Sequence, residues 1–585
     1  MLVRSFPRAL LRTAIKPAVL STTSARWVHY RRQQQQHNTD PPWSTATFPT
    51  AAVLGLGALG LATAAGSSFF TSSETTSSCA AGDTGVSSSS SSSSSSSEEQ
   101  FFSRAEVAKH TTPETGIWVT YKDGVYDITQ FVEQHPGGAK RILLAAGSSV
   151  DPFWKLYQQH FTNKVQDILP PLRIGTLHPD EERIIDTSDP YANDPERHPA
   201  LVVRKQKPFN AESPLTFMCE NYLTPNELWY CRHHHPVPVV DPATFQLSVK
   251  NQSTAMTSKE EDVLTFNLLQ NLTLKDIKNN YKKHQVIATM QCGGNRRGGL
   301  NANGKTQGTA WDVGAISTAK WGGARLRDVL ADVAGIKTLE DAEKQGIKHV
   351  HFLPLDPPYD SSIPIEKALA EYGDVLLAYE MNDVTLPAEH GYPIRMVVPG
   401  TIGARNVKWV NSIRLSSEEA ESVWQRGVQY KGFSPNVKKF DKSVDPSQVV
   451  SCQEMPVQSA VIVYDQNIDQ DDTDMDISGY AWSGGGRSIV RVDVTTDGGE
   501  TWTTADLGEG KDQSPGRAWG WTLWTAKMKV PDGLKVGDTF NIACKAVDSS
   551  YNQQPEKIGT VWNLRGILNN SWHKVEIKCV KEEDY

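Results

Sequence analysis

Residues 288–300 read ATMQCGGNRRGGL, an apolar run that stops at one cysteine, two glycines and an arginine pair. The simplest interpretation is a strand that ends at a buried thiol, Cys292, and continues into a turn and two solvated arginines, because free cysteine often packs as a small hydrophobe. The alternative is a thiolate that ligates a metal, with Arg296 and Arg297 placed to receive an anion. The rest of the chain must decide between a buried structural thiol and a thiolate that ligates a metal.

The length and charge of the chain restrict its organisation and its partners. At 585 residues the chain is too long for one apolar core and predicts three or four domains. Its seven cysteines contain no CxxC pair, which argues against a zinc ribbon or a dense disulfide scaffold. The formal net charge is −8, which disfavours nucleic acid as a partner and favours a basic protein.

The N-terminal hundred residues differ in composition from the rest. A transit peptide for mitochondria is predicted over residues 1–50, because the first 39 residues contain seven Arg or Lys and no Asp or Glu; a disordered basic tail is the alternative. The uncharged segment 51–70 is long enough to cross a hydrocarbon core and indicates a stop-transfer signal. Cleavage beyond it would release the protein into the intermembrane space without stable membrane insertion, and a retained anchor is the alternative. The serine-rich residues 71–100 predict a flexible linker.

A first folded module is predicted over residues 101–178. The segment GIWVTYKDGVYDITQF predicts two short strands around a turn at Asp123-Gly124. In HPGG, the turn places His135 at a loop tip before a helix that begins near Ala139, and His160 follows at the end of the next helical stretch. Two imidazoles that flank an apolar slot can ligate one iron from opposite faces, an arrangement that carries electrons.

This module resembles cytochrome b5. The resemblance implies a b-type heme whose iron is held by His135 and His160. Residues 179–204, which follow the module, are rich in acid and proline and predict a flexible linker. Such a linker would let the heme visit both an electron donor and an electron acceptor.

The central region, residues 205–454, alternates strand-like and helix-like runs, which predicts a mixed α/β domain. It lacks a GxGxxG or P-loop pattern after a strand, so the usual nucleotide cradle is not indicated. The three neighbouring histidines of YCRHHHPVP are a poor zinc site, because adjacent side chains diverge. Several separate clusters of polar and cationic residues stand out in this region: Arg232, His233 and His234; Cys292, Asn295, Arg296 and Arg297; Asp356; His390 and Arg395; Lys408; and Tyr430.

Taken together, these clusters resemble the molybdenum-cofactor domain of the sulfite oxidase and nitrate reductase family. The resemblance implies that Cys292 ligates molybdenum, since a soft sulfur donor suits an oxo-metal held by a dithiolene. It implies that the adjacent glycines let the backbone approach the cofactor. It also implies a set of residues that bind the cofactor: Tyr230, Cys231, Arg232, His233, His234, Cys292, Asp356, His390, Arg395, Asn406, Val407 and Lys408.

The same resemblance implies an oxyanion pocket for the substrate. Its members would be Arg232, Arg297, the phenol of Tyr430 and Arg565. Arg296 matches the motif as well, but a structural salt bridge explains it equally well.

Residues 455–585 predict an all-β domain. The segment IVRVDVTTDGGETWTTADL alternates apolar and polar residues around an Asp-Gly-Gly turn, which indicates a hairpin, and further short strands follow. An immunoglobulin-like β-sandwich is expected. The domain resembles the dimerisation domain of the same family, which implies a two-fold homodimer. The predicted fold class is therefore multidomain α+β: a cytochrome b5-like α+β heme domain, a mixed α/β molybdopterin domain and a β-sandwich.

The resemblance implies an enzyme that oxidises sulfite to sulfate at a molybdenum–molybdopterin centre. Its electrons would pass one at a time through heme b to cytochrome c. A nitrate reductase-like molybdenum–heme enzyme is the nearest alternative, but there the heme module follows the molybdenum domain, whereas here it comes first. A non-catalytic heme carrier is the other alternative. It explains the first and last domains and leaves the cysteine and arginine clusters between them without a role.

Overall fold

The computed structural model describes five stretches of the chain: residues 100–156, 158–178, 189–252, 266–355 and 359–581. The predicted transit peptide, the apolar segment 51–70, the serine-rich linker and Asp356 lie outside them. The described residues belong to two compact units, one that includes residues 133–138 and another that includes the described parts of 100–132 and 139–581. In the described part of the first unit, residues 133 and 134 end a 3-10 helix and residues 135–138 form the HPGG loop, where the Gly138 N–H donates to the His135 carbonyl at 2.8 Å.

A five-stranded sheet of order β1-β5-β4-β3-β2 is the scaffold of the N-terminal module. The turn between β3 and β4 is Lys122-Asp123, one residue earlier than predicted, because Tyr121 pairs with Gly124. Short helices complete a core that includes Val119 and Phe153. The elements are β1 (Phe101–Phe102), α1 (Arg104–Val107), β2 (Thr111–Thr112), β3 (Gly116–Tyr121), β4 (Gly124–Asp127), α2 (Ala139–Ile142), α3 (Asp151–Leu156), α4 (Asn163–Gln166) and β5 (Arg173–Leu177).

The described part of the predicted linker, residues 189–204, is packed against the rest of the protein. Asp194 and His198 are buried, and Arg197 pairs with Asp194 at 2.7 Å. The ring of Phe153, in the N-terminal module, meets the ring of His198 edge to face with centroids 4.5 Å apart. Burial and ion pairing therefore order this stretch, although its acid- and proline-rich composition favours disorder.

The central domain contains three sheets, of order β6-β7-β8, β10-β9-β18-β13-β14 and β11-β12-β15-β16, with β17 also paired to β15. Its strands are β6 (Val202–Lys205), β7 (Asn210–Glu212), β8 (Cys231–Arg232), β9 (Gln246–Gln252), β10 (Phe266–Thr273), β11 (Lys283–Gln291), β12 (Ile316–Arg325), β13 (His349–Pro354), β14 (Ser361–Pro364), β15 (Leu376–Met381), β16 (Val384–Thr385), β17 (Arg395–Val397) and β18 (Val410–Ser416). Its helices are α5 (Leu215–Met218), α6 (Leu274–Asn280), α7 (Arg297–Asn303), α8 (Leu326–Val333), α9 (Leu339–Lys344) and α10 (Ile365–Leu369).

Local sequence explains where two of these helices begin. Helices α6 and α9 follow Thr-x-x-Asp capping boxes, Thr273 with Asp276 and Thr338 with Asp341, in which each side chain satisfies a free backbone N–H of the first turn. A separate apolar cluster around Met290, Trp311 and Trp321 also contains Cys292. Each large apolar side chain that is fully buried contributes roughly 1.5–3 kcal/mol, so this cluster gives the end of β11 a rigid support.

The C-terminal domain is a sandwich of two sheets, of order β19-β21-β25-β24 and β20-β27-β26-β22-β23, as expected. Both sheets contribute to one core, which includes Val492, Trp524 and Ile542. The predicted hairpin at the Asp-Gly-Gly turn joins β22 to β23. The strands are β19 (Gln458–Val463), β20 (Asn467–Asp469), β21 (Asp474–Trp482), β22 (Ile489–Thr495), β23 (Thr503–Thr504), β24 (Asp506–Leu507), β25 (Thr522–Lys529), β26 (Thr539–Asp548) and β27 (His573–Val580). In the five described stretches, every helix is too short or too polar to span a bilayer.

Candidate functional site

A cavity opens in the central domain where strand β8, the loop after β11 and the loop between β17 and β18 converge. Its described lining residues carry three Arg or Lys side chains and no carboxylate. A wall of this kind suits an anionic ligand. The lining includes most of the residues that the sequence singles out: Tyr230, Arg232, His233, His234, Cys292, His390, Arg395, Asn406, Val407, Lys408 and Tyr430.

Cys292 is the first residue after strand β11 and lies at the wall of this cavity. Its backbone N–H donates to the carbonyl of Ala315 at 3.0 Å, which fixes the chain as it leaves the strand. Its Sγ accepts the N–H of Gly294 at 3.4 Å, and the residue is only 7% exposed. The thiol is therefore shielded from bulk water but faces the cavity, as a metal ligand must.

The glycines beside Cys292 make room for protein groups. A Cβ at Gly293 would lie 2.4 Å from the Cδ1 atom of Ile402, and a Cβ at Gly294 would lie 2.5 Å from a guanidinium nitrogen of Arg297. The family resemblance implies instead that these glycines let the backbone approach a cofactor. In this structure their observed effect is to let Ile402 and Arg297 pack against the loop.

Arg232 and His234 form one side of the cavity. The Nη1 atom of Arg232 donates to Asn210 Oδ1 at 3.1 Å and to the His233 carbonyl. Its Nη2 atom donates to His234 Nε2 at 2.9 Å. Burial, with a contribution from the Arg232 charge, lowers the pKa of His234 well below its usual range. A neutral imidazole here can accept the bond and hold the guanidinium in place.

Tyr430 and Arg297 lie near Arg232, and Arg565 lies near Arg297 and Tyr430; of the three, only Tyr430 lines the cavity directly. Burial raises the pKa of the Tyr430 phenol, while the charges of Arg232 and Arg297 oppose that shift. The Arg297 guanidinium donates to the carbonyls of Gly566 at 2.8 Å and Thr309 at 2.6 Å. The two terminal nitrogens of Arg565 donate to side-chain amide oxygens of the glutamines at positions 307 and 429.

Arg296 lies away from the cavity and joins two domains. Its Nη1 atom donates to the Ser571 carbonyl at 2.8 Å, and its Nη2 atom donates to the Trp572 carbonyl at 3.0 Å. In return, the side-chain amide of Asn569 donates to the Arg296 carbonyl at 2.9 Å. Of its two interpretations the structural one fits the observed contacts, with backbone carbonyls in place of a carboxylate.

A chain of buried and half-buried polar groups runs from the cavity wall toward residues 189–204; we call Arg197, Glu389, His233 and Lys408 the relay cluster. Lys408 Nζ donates to His233 Nδ1 at 2.9 Å and to the Glu389 carbonyl at 3.0 Å. His233 Nε2 donates to Glu389 Oε1. Arg197 Nε donates to both carboxylate oxygens of Glu389, at 3.1 and 3.0 Å.

The protonation states of the relay cluster follow from burial and charge. Burial and the nearby Lys408 charge lower the pKa of His233 to about 4, so its ring is neutral. Burial alone would raise the pKa of Glu389, but the His233 hydrogen bond and the charges of Arg197 and Lys408 lower it to about 2. Burial lowers the pKa of Lys408 to about 7, against the attraction of Glu389. Glu389 is therefore ionised and lies beside the positive charges of Arg197 and Lys408.

Arg395 braces the cavity wall through backbone carbonyls. Its Nη1 and Nη2 atoms donate to the carbonyls of His390 at 2.9 Å and Asn406 at 3.0 Å. The side chain of Asn406 is also used internally, since its Oδ1 accepts the Val398 N–H at 2.7 Å. Burial lowers the pKa of His390 to about 3, and its Nε2 donates to the Asn226 carbonyl at 2.8 Å. These side chains hold the shape of the wall.

Cys231 belongs to the same neighbourhood but does not line the cavity. Its thiol, His233 and Glu389 place ligand-type atoms within 4.8 Å of one another. A cation there would displace existing bonds, because the Glu389 oxygens already pair with Arg197 and His233. Burial raises the pKa of the Cys231 thiol well above its usual range, so it keeps its proton. The existing hydrogen bonds of Glu389 and the protonated Cys231 thiol therefore argue against a metal site at this triad.

Two members of the relay cluster, Glu389 and Arg197, are not among the residues predicted from the sequence. Glu389 directly precedes His390 in EHGYPIR, and an acid beside cationic residues was the signal that could have identified it. Arg197 gave no signal, because it lies in the acid- and proline-rich stretch that predicts a linker. Asp356, the remaining predicted cofactor residue, lies outside the described residues.

The two predicted iron ligands occupy different compact units, so each is described alone. Nδ1 of His135 lies 3.1 Å from the Gly138 carbonyl oxygen. Because a carbonyl oxygen only accepts, Nδ1 carries the proton and Nε2 keeps the lone pair that can ligate a metal. His160 lies in a 3-10 turn, Gln158–Phe161, and its ring stacks on Trp154 with centroids 5.3 Å apart. Both environments fit a heme-binding module.

Three families match successive parts of the chain. Residues 103–178 match the Cytochrome b5-like Heme/Steroid binding domain. Residues 234–424 match the Oxidoreductase molybdopterin binding domain. Residues 449–580 match the Mo-co oxidoreductase dimerisation domain. These matches confirm the predicted fold class.

Curated relatives cover most of the chain. It is 45% identical over 478 residues to the mitochondrial sulfite oxidase of Homo sapiens, covering 81% of this chain and 84% of that protein. It is 47% identical to the sulfite oxidase of Gallus gallus, covering 81% of this chain and 99% of that protein. Among solved structures, the sulfane dehydrogenase SoxCD of Paracoccus pantotrophus matches with a TM-score of 0.50 at 24% identity, covering 63% of this chain and 84% of that one. That likeness concerns the fold alone.

Proposed function

We propose, from the premise that this chain belongs to the sulfite oxidase family, that the cavity at Cys292 oxidises sulfite to sulfate and that heme carries the electrons away. The observation that supports this most directly is the buried Cys292 thiol at the wall of a cavity that carries one buried and two half-buried cations and, among its described residues, no carboxylate. A soft ligand for a high-valent metal and a cationic anion site thus share one cavity.

Its cofactors are molybdenum–molybdopterin and heme b, and the residues present fit both. Cys292 would ligate molybdenum, and Lys408, His233 and the backbone around Asn406 would hold the pterin and its phosphate. When bound, the molybdenum cofactor supplies the oxygen atom and accepts the electron pair, and the heme passes electrons singly. His135 and His160 would hold the heme iron.

The oxyanion pocket is assigned to residues around Cys292. Arg232 is already oriented by Asn210 and His234, so it can bind a sulfite oxygen with little reorganisation. Tyr430, whose raised pKa keeps the phenol protonated, would donate a further hydrogen bond. Arg297 and Arg565 would add positive charge from behind the wall, where backbone carbonyls and glutamine side chains hold them.

Sulfite-dependent reduction of the heme, followed spectroscopically with the full chain, tests this function. Sulfite should reduce the heme, and added cytochrome c, the proposed acceptor, should then reoxidise it. Nitrate is the matched control, because a nitrate reductase-like enzyme would oxidise pre-reduced heme when nitrate is added. Protein that contains molybdenum and heme but shows no heme reduction with sulfite would contradict the proposal.

A homodimer is proposed for the assembled enzyme, because the C-terminal domain matches a dimerisation domain family. The interface would use the same patch on both subunits around a two-fold axis. Sedimentation equilibrium of the holoenzyme checks this. A monomer at micromolar concentration would contradict it.

The mitochondrial intermembrane space is proposed as the location. The basic N-terminus and the apolar segment 51–70 support it, together with the mitochondrial name of the human relative. N-terminal sequencing of native protein should find a start beyond residue 70. A start before Ala51 with salt-resistant membrane attachment would favour a retained anchor.

Substitution of either proposed iron ligand tests whether cytochrome c reduction depends on the heme while sulfite oxidation does not. His135→Ala or His160→Ala should abolish the low-spin bis-imidazole spectrum and the reduction of cytochrome c. Sulfite-dependent reduction of a small artificial acceptor should persist, because the cavity at Cys292 is unchanged. His178→Ala, at an exposed histidine of the same module, is the matched control and should keep both activities. If the ligand variants retain cytochrome c reduction, heme is not on the electron path.

A further inference from the structure

We propose that Glu389 is a positioning residue for the cofactor, acting through His233 and Lys408 to aim a charged ammonium into the cavity. The inference rests on the proposed function, since it concerns how this chain holds the anionic part of the molybdenum cofactor. Neither the predicted oxyanion pocket nor the predicted cofactor residues include Glu389.

The first step is the direction of each hydrogen bond. An ionised carboxylate only accepts, so His233 Nε2 carries the proton in its bond to Glu389. Nδ1 of the neutral ring then has a free lone pair, which accepts from Lys408 Nζ at 2.9 Å. Glu389 therefore selects the tautomer of His233 that can hold the lysine. The opposite tautomer would point an N–H at the ammonium and repel it.

The second step is the fixed position of Glu389 itself. Its carboxylate accepts from Arg197 Nε at 3.1 and 3.0 Å, and its side chain is only 11% exposed. Its backbone carbonyl accepts from Lys408 Nζ at 3.0 Å. One residue thus contacts Lys408 directly and through His233, which leaves the ammonium little freedom except toward the cavity that it lines.

The third step is charge. Lys408 is half-buried beside the charges of Arg395 and Arg232, and its loss of solvent lowers its pKa to about 7. Glu389 opposes that shift, so removing its negative charge would make the protonated lysine still less favourable. An anionic ligand would then bind less tightly, because Lys408 would be protonated less often and oriented less firmly.

Glu389→Gln tests the inference, because it keeps the shape and removes the charge. The readouts are the molybdenum-to-heme ratio of the purified holoenzyme and the rate at which it releases pterin, measured by fluorescence after oxidation of the filtrate. Loss of a well-placed charged hydrogen bond between Lys408 and the anionic cofactor should weaken binding by about 10- to 100-fold, so release should accelerate by about that factor. Heme in the same chain is the internal standard for protein amount.

Asp374→Asn is the matched control. Asp374 is equally an arginine-paired buried carboxylate, with Arg517 at 2.6 Å and a side chain 1% exposed, but it lies away from the cavity lining. A general cost of removing a buried charge would lower the molybdenum-to-heme ratio in both variants. The inference expects it to fall only in Glu389→Gln.

A double-mutant cycle with Lys408→Gln separates positioning from general stabilisation. If Glu389 acts through Lys408, the double variant should release pterin no faster than Lys408→Gln alone, since coupled residues are non-additive. Multiplicative rate increases would overturn the inference, as would a Glu389→Gln enzyme that releases cofactor at the wild-type rate. Wild-type protein without molybdenum would overturn the proposed function and this inference with it.

Discussion

Cys292→Ser should abolish sulfite turnover while leaving the heme spectrum intact. The oxygen of serine is a harder donor than a thiolate and a poor substitute for sulfur on this metal. The smaller side chain fits the same space, and the Ala315 backbone bond that fixes the residue does not involve the side chain. Steady-state sulfite oxidation measures the loss, with molybdenum and heme determined in parallel.

Cys544→Ser provides the control for that experiment. Cys544 is also buried, but in the core of the C-terminal sandwich, where its sulfur lies 3.3 Å from the hydroxyl of Ser459. Its substitution should leave turnover per molybdenum unchanged. Near-wild-type turnover in Cys292→Ser would remove this thiol from the metal.

Arg232→Gln should raise KM for sulfite and slow heme reduction. It removes one charged hydrogen bond to the oxyanion, and such bonds are worth roughly 1.5–3 kcal/mol, so kcat/KM should fall by about ten- to over a hundredfold. Arg232→Lys should rescue only in part, because an ammonium lacks the planar fork that also engages Asn210 and His234. Steady-state kinetics with parallel metal analysis measures both variants.

Arg296→Gln is the control for Arg232→Gln. It makes the same change of residue at a position in the Cys292 motif that does not line the cavity. Its guanidinium binds carbonyls of the C-terminal domain, so its loss should lower thermal stability and leave KM for sulfite unchanged. A change below twofold in kcat/KM for metal-replete Arg232→Gln would place Arg232 outside the pocket.

Features whose residues lie close together in the sequence were the most predictable. The HPGG loop and the Cys292 segment each carry their chemistry within a few positions, and both gave specific expectations about fold and cofactors. Asp-Gly-Gly and alternating apolar residues likewise predicted the hairpin and the sandwich. For the hairpin and the sandwich, the local signal and the tertiary structure agree.

Contacts between distant segments were not predictable in the same way. Arg197 meets Glu389 across 192 positions, and nothing in the composition around Arg197 indicates a buried ion pair. The glycines beside Cys292 show the same limit, because their neighbours, Ile402 and Arg297, depend on how separate loops pack. The roles of Arg296 and Arg297 also separate only in three dimensions, since identical side chains leave adjacent positions toward different partners.

The packing of residues 189–204 has a consequence for electron flow. Ten residues separate His178, at the end of the N-terminal module, from Asp189, where the packed stretch begins. A chain advances at most about 3.3–3.6 Å per residue, so even if the contact between Phe153 and His198 opened, the module would stay within about 40 Å of that stretch. Confinement on this scale corresponds to a local concentration in the millimolar range. Electron exchange between the two centres is therefore a first-order process, and dilution of the enzyme leaves its rate unchanged.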